Sequence, residues 1–212
     1  MTFRYWLTFS KTGPLKFIGH LDLQNMLEIA FRRSELSFAY SEGFKPHMKY
    51  SIALPLPLGV ESEAEYLEIF LDKVTAPSEI KSRLNAKLPQ DIRIIDAKEV
   101  PLVLGKLMSL VNGLSYEFLF EPKHASIVKK TLVELQAKPD WTISRTNKNG
   151  TRSIDLKTRI KKMTWKDDQT LEVETGLDTE GGVRISEIVS LIGAEAYFPK
   201  IKRSKVALTL GS

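Results

Sequence analysis

Histidine is the side chain best suited to proton transfer near neutral pH, and the chain has three. His20 sits in Lys16-Phe17-Ile18-Gly19-His20-Leu21-Asp22, where the residue pattern turns helical. An imidazole at a helix N-terminus can act as a general base. Lys11 and Lys16, just upstream, would then stabilise developing negative charge. A helix cap or a contact with a backbone carbonyl would use His20 equally well. His47 ends the segment Tyr40-Ser41-Glu42-Gly43-Phe44-Lys45-Pro46-His47. A rigid loop dense in polar and aromatic groups is a common build for a binding surface, so Tyr40, Ser41, Glu42, Lys45 and His47 join Lys11, Lys16 and His20 as candidate ligand contacts. A polar link from helix to strand would read the same way. His124 opens a helix in the second half and reads as a surface residue.

Other chemistries are excluded or unsignalled. There are no cysteines, which removes disulfides, thiolate zinc sites, cysteine-bound iron–sulfur clusters and a cysteine nucleophile. His20, Asp22 and His47 would share a metal ion only if the fold brought them together. There is no GxxxxGK[ST] and no GxGxxG nucleotide loop. No cofactor is expected.

Charge is the next signal. Net charge is +5 and the isoelectric point about 9.2, which permits a polyanionic partner without demanding one. From Arg145 to Lys166, eight basic residues face one acid, Asp155. Lys200, Lys202, Arg203 and Lys205 follow near the C-terminus, whereas Glu61, Glu63, Glu65 and Glu68 form an acidic segment. On one strand, Lys157, Arg159 and Lys161 would point to the same side. With Lys202 and Arg203 they form a candidate phosphate-contacting track; a solvated sheet face has the same composition.

These residues need elements to hold them. Phe3, Tyr5, Leu7 and Phe9 alternate with Arg4, Trp6, Thr8 and Ser10, a period-two strand. Leu23, Met26, Leu27, Ala30 and Phe31 share a helical face from about Gly19. Strands are expected over Tyr50–Leu58, edged by Pro55 and Pro57, and over Leu67–Leu71. A helix starting at Pro77 carries Ile80, Leu84 and Leu88, and a strand at Ile92–Ile95 follows. The order is strand, helix, strand, strand, helix, strand, that of a split βαβ unit. The second half repeats it: strands at Leu114–Phe120, Trp141–Arg145, Ile154–Met163, Leu171–Leu177 and Ile201–Leu210, with helices through Ile127–Leu135 and Ile185–Ile192. Asn147-Lys148-Asn149-Gly150 is a hairpin turn. The expected architecture is α+β, two tandem ferredoxin-like halves packed together: residues 1–100 with the candidate site, and a basic half at 113–212. The strand-like N-terminus and the lack of an apolar run of about 20 residues lead us to expect a cytoplasmic protein.

One family resemblance runs through the first half. It is carried by Phe9-Ser10-Lys11, Gly13, Lys16 to Leu23, Arg32-Arg33, Tyr40 to His47, Ala53 to Ser62 and Glu65-Tyr66. These segments are similar to the radical SAM-linked family of uncharacterised bacterial proteins, found fused to a radical SAM protein or encoded beside one. The resemblance implies a radical SAM protein as partner. Genes of that family often neighbour those for RNA processing and ribosomal proteins, which implies RNA or a ribonucleoprotein as a further partner. Radical SAM chemistry needs three clustered cysteines, so this chain would be the accessory half. More distantly, the tandem order resembles CRISPR repeat-processing endoribonucleases, which often use a histidine near the first helix. Three functions are therefore expected in competition: an RNA-binding accessory protein, an endoribonuclease-like or other RNA-processing enzyme with His20 as its catalytic residue, and a protein-interaction module built on Pro55-Leu56-Pro57-Leu58.

Overall fold

The computed structural model describes residues 2–147, 150–178 and 181–209. The expected turn residues Lys148 and Asn149 and the expected strand end at Leu210 lie outside the described residues. The chain is an α+β protein whose residues divide into two compact units at Val111/Asn112, with the residues from Leu208 onward counted with the first. No described helix is long and apolar enough to cross a membrane.

Unit 1 runs β1 (Phe3–Lys11), α1 (His20–Arg33), β2 (Tyr50–Ile52), β3 (Glu61–Leu71), α2 (Pro77–Asn85), β4 (Ile92–Val100) and the single turn α3 (Leu107–Leu110). Within it the strands lie in the order β2-β3-β1-β4, each antiparallel to its neighbour. The alternation of β1 has the expected effect. Tyr5, Leu7 and Phe9 join Leu67, Ile69, Ile92 and Ile94 beneath Leu23, Leu27, Ala30 and Phe31 of α1 and Ile80 and Leu84 of α2. Burying each large apolar side chain is worth roughly 1.5–3 kcal/mol, so this cluster is what holds the helices to the sheet. α1 stops where the Ser34 hydroxyl donates to the Phe31 carbonyl at 2.7 Å and Glu35 turns into the left-handed region at φ 59°.

The other face of β1 is buried as well, through polar contacts. The Glu68 carboxylate accepts from Arg4 Nε at 2.8 Å and from the Trp6 indole at 2.9 Å. Arg4 also donates to the carbonyls of Leu104 and Gly105, at 2.6 Å each. The charge of Glu68 and the fork of Arg4 thereby satisfy each other and tie down the segment after β4. Three strands of this unit differ in length from expectation, one of them β4, which continues past Ile95 to Val100 by pairing with β1. β2 ends at Ile52, since Pro55 and Pro57 have no N–H to extend a ladder. β3 begins at Glu61, because pairing with β1 carries the strand through residues that read as an acidic stretch.

Unit 2 contains β5 (Val111–Leu119), α4 (Pro122–Gln136), β6 (Thr142–Asn147), β7 (Gly150–Asp155), β8 (Ile160–Trp165), β9 (Thr170–Asp178), β10 (Gly181–Gly182), α5 (Ile185–Leu191) and β11 (Lys200–Leu208). Its main strand order is β8-β9-β5-β11, with β10 on the end of β9, while β6 and β7 form a separate hairpin. The single strand expected over Ile154–Met163 is two strands. Between them the Asp155 carboxylate accepts the Lys157 N–H at 2.9 Å and opens a 3-10 turn over Leu156–Thr158. Side chains at 157, 159 and 161 therefore do not share one strand face.

Candidate functional site

The start of α1 gathers more buried charge than the sequence suggested. Lys11, at the end of β1, is 1% exposed and donates to the Ile18 carbonyl at 2.9 Å. Ser62 and Glu65 of β3 are also buried. Burial holds the Lys11 amine below its ordinary value, and the nearby Glu65 charge opposes that shift. Lys16 pairs with Glu61 at 3.0 Å, and its carbonyl accepts the Gly59 N–H at 3.0 Å. His20 follows as the first residue of α1, half-buried, with its Nδ1 buried and without a hydrogen-bond partner. Lys11, at the end of β1, and Lys16, in the turn before α1, thus belong to the segment that leads into His20. Their acidic counterparts Glu61 and Glu65 are additions made by the fold.

The Tyr40–His47 loop belongs elsewhere. Its base is fastened to the other end of β3: Phe38 bridges Leu71, and the Ala39 N–H donates to the Phe70 carbonyl at 2.9 Å. Phe31 of α1 packs on Phe38 and Tyr50, with ring centroids 4.8 and 5.3 Å apart. At 1.5 Å per residue, His20 lies about 16 Å further along the helix axis than Phe31. These placements put His20 and the base of the loop at opposite ends of α1, which argues against the shared cleft expected for His20 and His47, with Lys16 and Tyr40 nearby. The helix crosses the sheet in one direction, and the chain leaves it at the far end. No group of His, Asp or Glu among the described residues is placed to hold a metal ion.

The loop itself is a closed structure. Tyr40 bridges Met48, the Ser41 N–H donates to the His47 carbonyl at 2.8 Å, and the His47 N–H donates to the Ser41 hydroxyl at 2.9 Å. Ser41 is half-buried, while Tyr40, Glu42, Lys45 and His47 are exposed.

The five basic residues expected to contact phosphate have different fates. Lys157 lies in the 3-10 turn, its amine on the Lys138 carbonyl at 2.7 Å and 5.8 Å from the centre of the Trp141 ring. Arg159 donates to the Gly181 carbonyl at 2.7 Å. Together with Arg152 it lines a groove of about 320 Å³ that also takes in Ser153, Ile154, Asp155 and Thr158. The Asp155 carboxylate in that groove accepts the N–H groups of Trp141 and Lys157, which hold its pKa below the usual range. Lys161 is exposed at a bulge in β8, with its chain over Gly176 and Gly113. Lys202 is half-buried. Arg203 is a correction: it is 2% exposed and reaches the Tyr116 hydroxyl at 3.3 Å, so it does not face solvent. His124 is a second correction, since its ring stacks on Tyr197 with centroids 4.4 Å apart. The charge of β8 is also not what the linear count implied. Lys162 faces Glu174 across the ladder, and Lys166 pairs with Glu117 at 2.7 Å.

Residues 4–185 match one family, described as "Uncharacterized protein conserved in bacteria (DUF2344)". The chain belongs to the DUF2344 family. A comparison with curated proteins finds no match. One solved structure similar to this DUF2344 protein is "Crystal Structure of an Unknown Protein from Galdieria sulphuraria", at 10% identity and a TM-score of 0.31, covering 99% of this chain and 100% of that one.

Sequence reasoning on this DUF2344 chain missed Arg152 as a groove residue and Glu61 and Glu65 as partners of the lysines. Arg152 was visible in the basic run, but its alignment with Arg159 depends on the turn at Leu156–Thr158. The Glu61–Glu68 segment was visible too, yet nothing local shows that β3 lies against β1.

Proposed function

We propose that this DUF2344 protein is a non-catalytic accessory protein that binds RNA or a ribonucleoprotein and works with a radical SAM partner. The partner class rests on the resemblance carried by the residues up to Tyr66. The observation that carries the RNA reading is the groove in unit 2 where Arg152 and Arg159 lie together with the hydroxyls of Ser153 and Thr158. Guanidinium forks suit the paired oxygens of a phosphate. Lys157 lies between them in the chain, and Lys161 and Lys202 are kept as further candidate phosphate contacts; Arg203 is left out because it is buried. We also infer that each unit is a ferredoxin-like split βαβ unit. The strand orders β2-β3-β1-β4 and β8-β9-β5-β11 support this, with the β6–β7 hairpin as an insertion in the second.

Filter binding of total tRNA and rRNA at two salt concentrations tests the RNA reading. Affinity is expected to fall steeply with salt. Arg152→Ala and Arg159→Ala should each lower the salt slope by about one. Absent or salt-independent binding would remove the reading. Co-purification with a radical SAM protein, before and after nuclease treatment, tests the partner.

A second reading, an RNA-processing enzyme using His20, is favoured by one observation: the buried, unpartnered Nδ1 of His20 beside Lys11 and Lys16. It predicts that His20→Ala abolishes turnover while leaving RNA binding unchanged. RNA that stays intact through long incubation with the wild-type chain would end it for a nuclease.

A further inference from the structure

We infer that the Tyr40–His47 loop is a single-strand reading site, in which Phe44 stacks on one unpaired RNA base and Lys45 and Lys49 hold the flanking phosphates. The inference rests on the RNA reading above and adds to it a form of RNA and a second contact surface.

Phe44 is fully exposed, at 102%. It is not packed on anything, so folding gives no reason for a phenyl ring there. Its mounting, however, is firm. Phe38, Ala39 and Met48 at the base of the loop are buried. The Tyr40–Met48 bridge and the two Ser41–His47 hydrogen bonds close the neck, so that only residues 42 to 46 project. Within that tip Gly43 adopts φ +120°, open to glycine and strained for other residues. Pro46 fixes its own φ. The ordering entropy that usually opposes binding by an exposed loop is therefore largely spent on folding.

The surroundings choose the partner. Lys45 follows Phe44 in the chain, and Lys45, His47 and Lys49 are exposed; α1 ends at the base of the loop with the exposed Arg32 and Arg33. The acids on the loop, at its base and on the last turns of α1 are Glu42, Glu35, Asp72 and Glu28; Asp72 donates its N–H to the Ser37 carbonyl at 2.8 Å, and Glu28 is taken up by Arg32 at 3.4 Å and by the Tyr50 hydroxyl at 3.0 Å. An exposed aromatic ring flanked by cations matches a base with its two phosphates. Duplex RNA has its bases already stacked on one another, so the site selects single strands.

The test uses the full chain, with a fluorescent oligouridine strand and an RNA duplex of the same length as probes, read by anisotropy. The wild type should bind the single strand more tightly than the duplex. Phe44→Ala should weaken oligouridine binding roughly five- to hundredfold with the salt slope unchanged, and Phe44→Trp should restore it. Lys45→Ala should lower the salt slope by about one. Thermal unfolding of each variant should match the wild type, because the ring touches nothing. Three results overturn the inference. If the wild type binds neither probe, the RNA reading falls with it. If Phe44→Ala binds oligouridine like the wild type while Arg152→Ala still weakens RNA binding, only the loop assignment falls. If Phe44→Ala keeps RNA binding but loses co-purification with a radical SAM protein, the loop docks a protein instead.

Discussion

Arg145 and Glu187 meet fork to fork: Nε donates to one carboxylate oxygen at 2.7 Å and Nη2 to the other at 2.6 Å. The pair is nearly closed to solvent, with side-chain exposures of 6% and 10%. It ties the β6–β7 hairpin to the start of α5. Arg145 also stands opposite Arg152 across the hairpin, a like-charge pairing that is destabilising by itself. Glu187 offsets it, and so holds in place the strand that brings Arg152 to the groove.

Removing either partner leaves an uncompensated buried charge, which costs roughly 3–5 kcal/mol. Arg145→Ala and Glu187→Ala are each expected to lower the urea midpoint substantially. The double variant should recover part of the loss. Two single variants that add without coupling would refute the pairing.

The same pair sets an acid limit. Burial pushes the Glu187 carboxyl up, but the Arg145 hydrogen bond, the Arg184 N–H and both positive charges outweigh it, and the net shift is below the ordinary 4.5. A depressed folded-state value means that this stabilisation is complete above the unfolded pKa and is lost as pH falls through the folded one. Asp155 shifts in the same direction, through the N–H groups of Trp141 and Lys157. Urea midpoints should therefore fall as pH drops below about 4.5, and Glu187→Gln should flatten that limb.

Arg203 separates stability from phosphate contact. It is buried against Tyr116, with its guanidinium carbon 5.5 Å from the ring centre. Arg203→Ala is expected to destabilise by roughly 1–3 kcal/mol, the scale for a lost charged hydrogen-bonding group in the interior. The salt slope of RNA binding should not change. A slope lowered by one with unaltered stability would put Arg203 on the surface.

Gly113 pairs with Gly176 across β5 and β9. A Cβ on Gly113 would come within 2.9 Å of the Thr175 carbonyl oxygen, a backbone atom that cannot step aside. Gly113→Ala should cost roughly 1–3 kcal/mol by overpacking. Gly105→Ala is the control, because its nearest contact would be Ser109 Oγ at 3.5 Å, an ordinary distance. Calorimetric unfolding of the two variants compares them directly.

Local patterns were legible wherever burial is periodic. The alternation of Tyr5, Leu7 and Phe9 and the helical spacing of Leu23, Leu27, Ala30 and Phe31 read directly into β1 and α1, since each buries one face in the same cluster. The Pro77 start of α2 and the Gly/Pro loop at Tyr40–His47 were legible for the same kind of reason, a residue with a restricted or permissive backbone. Charge was less readable. A run of bases says nothing about what stands on the next strand, and Glu174 and Glu117 are far from Lys162 and Lys166 in sequence.

The sequence by itself determined the α+β elements, the absence of cysteine chemistry and the segments that carry the family resemblance, because those depend on residue type and on contacts within a few positions. Only the tertiary structure decided which candidates meet. It set Lys16 against Glu61 and Lys11 near Glu65, fastened the base of the Tyr40–His47 loop to the other end of β3, buried Arg203, and turned the chain at Leu156–Thr158 so that Arg159 shares a groove with Arg152. Strand register and crossover direction fix those distances, and both are set by the sum of many weak contacts between residues far apart in the chain.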